Sequence, residues 1–414
     1  MTAPTGRRAA LGFIFVTVIV DVLAFGVTLP VLPKLVETFV GGDTADAARI
    51  FGLFGTVWAL MQFLFSPILG GLSDRYGRRP VILISLFGLG LDYVLMALAP
   101  TLGWLFLGRV LSGALAANFS TAAAYVADVT PPEKRAAGYG MIGAAWGVGF
   151  VLGPALGGIM GQWHPRLPFW IAGALTLVNA LYGLVILPES HPVENRRPFD
   201  LKRANPLGAL GLLRSRPGLL GLGSSYFLHH VAHQVLPSVF VLFAGYRFGW
   251  NARDVGLALT AVGVATMIVQ GGLVQPIVRR LGERRAMLAG LGAELVSYTL
   301  YGFAATPALL WVGIAIGAFA GLFNPAIQGL MTSRVDLTEQ GRLQGANGSL
   351  MGIAGLIGPS VFGAVFAAFI EPGGRQVPGA AFFLAALFVA LGALLSLGAA
   401  TRPRFGDPPE AEIR

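Results

Sequence analysis

Apolar residues along this chain come in runs of roughly 20, separated by short stretches rich in arginine, glycine and proline. The runs lie near 9–31, 49–71, 80–99, 103–127, 137–161, 167–187, 218–244, 254–278, 285–304, 307–331, 344–370 and 379–400, which predicts about twelve helices of membrane-crossing length. Between the second and third runs, Gly71-Leu-Ser-Asp74-Arg75-Tyr-Gly77-Arg78-Arg79-Pro80 reads as a tight loop at a membrane surface. Its glycines permit close backbone approach, Asp74 supplies a carboxylate near a helix end, and Arg75, Arg78 and Arg79 offer planar donors that clamp carboxylates or helix carbonyls. Such a set latches two helices and releases them; the plainer reading is a basic loop that only fixes topology.

A longer interruption near 188–217 mixes five prolines with six basic residues. It divides the chain into a bundle over 1–190, a cytoplasmic linker over 191–216 and a second bundle over 217–414. The two halves repeat. A shift of about 205 positions places Arg75-Tyr-Gly77 on Arg280-Leu-Gly282, and Gly143, Gly147, Gly153-Pro154 and Gly158 on Gly348, Gly352, Gly358-Pro359 and Gly363. One offset serving two separate motifs predicts duplicated six-helix bundles, an organisation common among secondary transporters, whose binding sites lie near the bilayer midplane where the repeats meet. The repeat is broken in charge: Arg279 stands opposite Asp74 and Tyr226 opposite Asp21.

Composition narrows the class. With 55% hydrophobic and 12% charged residues, the chain cannot hide its apolar surface in a water-soluble globule. A net charge of +9 in a soluble protein would point to nucleic acid, but the basic residues fall mainly in short loops, about 22 on the side of both termini and about 6 on the other. That asymmetry predicts cytoplasmic termini and no nucleic-acid partner. The absence of cysteine removes thiol chemistry, and no phosphate-binding glycine loop is present, so work must come from an ion gradient and no cofactor is expected.

Acidic residues inside spans are the sharpest chemical signal, because a charge at the bilayer centre costs about 2.5–3.5 kcal/mol on insertion scales. Asp21, Asp92 and Glu294 each fall near mid-span, and burial there disfavours the charged form, as suits a proton carrier. A structural hydrogen bond explains any one of them, but explains three less well. Arg109, the lone cation inside a span, either controls a neighbouring acid or cross-links helices. Asp128, at the cytoplasmic end of the same run, reads either as a partner for Arg78 or Arg79 or as a solvated helix-end charge. Gln62, Asn118, His230, His233, Gln234, Gln270, Asn324 and Gln328 outline a polar cavity for substrate. His229 and His233 have the i, i+4 spacing of metal ligands but no acidic third ligand nearby in sequence, so no metal site is assigned. The stripe Gly147, Gly149, Gly153, Pro154, Gly157 and Gly158 predicts close helix approach with a bend at the proline, either as plain packing or as a gate.

The segment Gly71 to Pro80 resembles the signature loop of the major facilitator superfamily, and Gly143 to Gly158 resembles the helix-five motif of its drug-proton antiporters. The runs Ala59-Leu-Met-Gln62, Leu91-Asp92-Tyr93, Gly108-Arg109-Val-Leu-Ser-Gly113 and Phe248-Gly-Trp-Asn251 are similar to the tetracycline/proton antiporters, and the likeness covers nearly the whole chain. The resemblance implies an all-α integral membrane protein of twelve helices in two pseudo-symmetric bundles. It implies a monomer of the bacterial inner membrane, not an enzyme, that exports a small-molecule drug in exchange for protons. It also implies coupling roles for Asp21, Asp92 and Arg109, a latch role for Asp74, and a place in the substrate passage for Gln62 and Gln270. Two positions depart from the family pattern: Glu294 stands where an aspartate is expected, and Thr266 where a histidine is expected. Drugs other than tetracycline, and proton-coupled uptake of a metabolite, remain alternatives at this point.

Overall fold

The computed structural model describes residues 4–116, 118–131, 134–196, 208–215 and 218–399. Its helices, in chain order, are α1 (Pro4–Thr28), α2 (Leu32–Phe39), α3 (Thr44–Tyr76), α4 (Arg78–Leu98), α5 (Leu102–Leu115), α6 (Asn118–Val129), α7 (Arg135–Trp163), α8 (Leu167–Ile186), α9 (Leu212–Ser215), α10 (Leu219–His233), α11 (Val235–Phe248), α12 (Ala252–Ile268), α13 (Val274–Gly302), α14 (Pro307–Gly317), α15 (Phe323–Thr332), α16 (Gln340–Ala368) and α17 (Ala380–Ala399). Among the described residues, 10 continuous helical stretches are long and apolar enough to cross a membrane. One of them, Ala252–Gly302, is 51 residues long and turns at Gly282, so it supplies two crossings. The shorter apolar helix Leu102–Leu115 runs on towards α6. The architecture is therefore all-helical and membrane-spanning, with the crossings near the predicted positions. Most of the proposed linker, 197–207, lies outside the described residues.

The chain divides into two compact units, one of Met1–Ala204 with Phe240–Gly263, the other of Asn205–Val239 with Val264–Arg414. In the first, α1 packs along α7, α4 along α8 and α3 along α5, around a core that includes Phe13, Ile14, Val18, Leu86, Tyr125 and Ile142. In the second, α17 packs on both α10 and α13, and Leu222, Met287, Leu291, Phe323, Phe366 and Phe382 are buried. Large apolar side chains such as Ile84, Val178, Val185 and Leu394 point outward, as lipid contact requires.

Two features differ from the sequence reading. The predicted loop Gly71–Pro80 is almost entirely helical: α3 continues through Tyr76 and α4 starts at Arg78, so Gly77 alone makes the turn. Its φ of 107° and ψ of 160° are open to glycine and strained for other residues. Gly282, one repeat later, has φ 76° and ψ 161°, so the duplication is visible in the backbone itself. Several spans are also discontinuous. α10 gives way to α11 at Gln234, a π-helical turn over Val269–Leu273 joins α12 to α13, and a 3-10 turn over Ala318–Leu322 joins α14 to α15.

Candidate functional site

In the first unit, α4 presents Asp92 and α5 presents Arg109, and both side chains are buried. Neither carboxylate oxygen of Asp92 has a hydrogen-bond partner, while Arg109 interacts with it electrostatically and donates Nη2–H to Met96 Sδ at 3.3 Å. The approach depends on Gly108, where a Cβ would stand 3.1 Å from Asp92 Oδ1 and 2.6 Å from Met96 Cγ. Tyr93, beside Asp92, is within electrostatic reach of Asp21, which is half-buried on α1. A buried carboxylate with no hydrogen bond to hold its charge is suited to taking up and releasing a proton.

In the second unit, Glu294 of α13 is 2% exposed and is held by two partners that sequence reasoning did not assign to it. His229 Nδ1 lies 2.7 Å from Oε2, and the Tyr298 hydroxyl donates to Oε1 at 3.0 Å. His229 also stacks on Phe323, with ring centroids 4.0 Å apart. Its i, i+4 neighbour His233 is exposed, with ring centroids 6.0 Å apart. Among the described residues no group of three acidic or histidine side chains is placed to hold a metal. The signal available in the sequence was physical: a mid-span glutamate requires a partner, and His229 lies at mid-depth on a neighbouring span.

The polar cavity candidates cluster at the helix irregularities. Gln234 sits at the α10–α11 break and packs against Gly358, and Gln270 lies in the π turn against Gly321. Asn324 and Gln328 follow the 3-10 turn on one face of α15, and Asn324 lies beside His230. Asn118 opens α6, though its side chain lies outside the described residues. Gln62 is half-buried within α3. Where a helix breaks inside a bilayer, freed backbone groups need protein or water around them, and such breaks mark ligand paths.

At the α3–α4 turn, Arg78 ties three elements together. It pairs with Asp74 at 2.6 Å, donates Nη1–H to Ser73 Oγ at 2.6 Å and donates Nε–H to Asp128 Oδ2 at 3.1 Å. Arg79 donates to the Leu184 carbonyl at the end of α8, at 2.7 Å, and Arg75 lies over the Tyr76 ring. Sequence reasoning missed Glu189. Its carboxylate accepts the backbone N–H of Arg78 at 2.8 Å and of Arg79 at 3.3 Å, so it caps α4 from beyond the end of α8. Ser190 and His191 approach Asp128 from the same segment.

The glycine stripe lies on α7, with Pro154 inside the helix. Gly149, Gly153 and Gly157 face the α1 backbone near Ile19, Gly26 and Val27, while Gly158 meets Ala252 and Gly256 of α12; Gly147 is half-buried. Added methyl groups at Gly149, Gly153, Gly157 or Gly158 would meet backbone atoms of the facing helix, so glycine is required for this spacing.

The family model described as Major Facilitator Superfamily matches residues 14–275 and again 222–414. The class C tetracycline resistance protein of Escherichia coli is 36% identical over 380 residues, covering 91% of this chain and 95% of that protein. The crystal structure of the human organic anion transporter MFSD10 (TETRAN) superposes with a TM-score of 0.69 at 25% identity, covering 95% of this chain and 100% of that one. The crystal structure of the nucleoside transporter NupG reaches a TM-score of 0.76 at 14% identity over 95% of this chain and 100% of its own, a likeness of fold.

Proposed function

The chain belongs to the major facilitator superfamily of transporters, and from that premise we propose that it is a secondary antiporter exporting a drug of the tetracycline kind from the cytoplasm in exchange for protons. The observation that carries the reading is Asp92, a buried carboxylate with both oxygens unpartnered beside Arg109. A fixed structural acid would be hydrogen-bonded; one that alternates between charged and neutral forms is better served by an opposite charge that acts on it without clamping it. The similarity to the class C tetracycline resistance protein, at 36% identity, supports the choice of drug class in this reading.

In this reading a proton entering from outside neutralises Asp92, with Asp21 and Glu294 as further coupling acids, and the drug is released outward. The Asp74–Arg78–Asp128 latch then opens, and the two repeats exchange access to the other side. Gln62, Asn118, His230, His233, Gln234, Gln270, Asn324 and Gln328 supply polar contacts to the drug. The stripe from Gly147 to Gly158 serves as the gate. The functional halves are 1–190 and 217–414, joined by 191–216, in a monomer of the bacterial inner membrane with cytoplasmic termini. The driving force is about 2.3 kcal/mol per charge per 100 mV plus about 1.4 kcal/mol per pH unit.

Asp92→Asn tests this reading with little change of shape. Drug-dependent proton release from energised inside-out vesicles should fall at least about tenfold, with the protein still present in the membrane. Intact proton exchange in that variant would remove Asp92 from the mechanism.

A further inference from the structure

We propose that the proton handled by the second unit is shared between Glu294 and His229, so that the coupling group there is a histidine–glutamate pair braced by Tyr298 rather than a lone carboxylate. The inference rests on the reading of Glu294 as a coupling acid and adds a residue and a charge scheme to it.

The geometry sets the scheme. With His229 Nδ1 and Glu294 Oε2 2.7 Å apart, one proton must lie between them, since two bare lone pairs would repel. If that is the only titrating proton, imidazole Nδ1–H donates to a carboxylate and the pair carries one negative charge. Binding a second proton gives either imidazolium with carboxylate, or imidazole protonated on Nε2 whose Nδ1 accepts from the carboxylic acid. Both forms are neutral and differ only in which side of one hydrogen bond the proton occupies. Tyr298 donates to Oε1 throughout. Both partners are almost fully buried.

Two further histidines stand beside the pair, the His230 and His233 ring centroids lying 5.1 and 6.0 Å from that of His229. Helix α10 brings Tyr226, His230 and His233 besides His229, and α13 brings Tyr298 and Tyr301, with Arg279, Arg280, Glu283, Arg284 and Arg285 in its first three turns. The elements packed against these helices carry few titratable groups. The sequences of α14, α15, α17, the 3-10 turn at 318–322 and the π turn at 269–273 have none, α16 has only Arg342 near its start, and α9 has only Arg214.

The test needs no substrate, so it stands apart from the identity of the drug. Purified full-length protein carrying isotope-labelled histidine rings is titrated with pH and followed by infrared difference spectroscopy. A carboxylic-acid signal and an imidazole signal should change in one common step, and Glu294→Gln should remove that step. His229→Gln keeps a side-chain donor to the carboxylate but removes the base. It should erase the imidazole component and move the carboxyl step to lower pH by about one unit, a tenfold loss of proton affinity. Tyr298→Phe removes a donor that stabilises the anion and should move the step the other way.

If His229→Gln leaves the carboxyl step in place, or the wild-type imidazole signal does not share it, the pair is structural and the proposal is wrong. A common carboxyl–imidazole step that survives Glu294→Gln overturns the coupling role of Glu294 as well, which separates the two failures. Should His229→Gln not fold, the common step in wild-type protein and its shift in Tyr298→Phe still decide the matter.

Discussion

Asp92 and Glu294 are both buried acids, yet their surroundings differ: one has no hydrogen bond to either oxygen, the other has a partner on each. Sequence reading places both at mid-span because an acid in an apolar run is conspicuous. Their partners are another matter. Arg109 was legible as a lone intramembrane cation, whereas the link from Glu294 to His229 spans 65 positions and joins two helices whose relative rotation no local pattern encodes. The closeness of α4 and α5 at Asp92 depends on Gly108, which yields a prediction at this scale. Gly108→Ala forces Met96 and Asp92 aside and should cost about 1–3 kcal/mol in thermal stability together with a loss of proton exchange. Gly103→Ala, whose added methyl would meet only Thr101 Oγ1 at 3.7 Å, should leave both unchanged.

At the scale of elements, the spans were legible because about 20 apolar residues in a row carry a strong signal, while their interruptions were not, because apolar residues continue through them. The polar stretch Gly71–Pro80 read as a loop on composition. It is helical because Asp74 and Arg78 pair across a single-residue turn and Gly77 N–H still reaches the Ser73 carbonyl. Glu189 was missed although an exposed helix start demands an acceptor: Gly77 has no side chain to cap α4, so the cap comes from 111 positions away. Glu189→Ala should therefore cost about 1 kcal/mol, read as a lower melting temperature. It should also weaken transport through a loosened Arg78, whereas Glu194→Ala, in the same segment, should not. On α7, Gly157→Ala should separate α1 from α7 and reduce transport several-fold, while Gly143→Ala, which meets nothing within 4 Å, should be silent in the same vesicle assay.

For the whole molecule, duplication is the organising fact: Gly77 and Gly282 adopt matching backbone conformations about 205 positions apart, and Pro154 and Pro359 lie inside equivalent helices. The halves then diverged in chemistry. The first keeps an acid–arginine pair and a charge cluster at the α3–α4 turn, and the second carries a histidine–glutamate–tyrosine cluster near broken helices. The direct test of antiport is the response of energised inside-out vesicles, whose lumen is acidic, to tetracycline added with magnesium while a pH-sensitive dye reports the lumen. The expected result is prompt proton release on drug addition, absent from vesicles lacking the protein and from Asp92→Asn. Uptake of labelled drug with no proton movement, or with further acidification of the lumen, would contradict it.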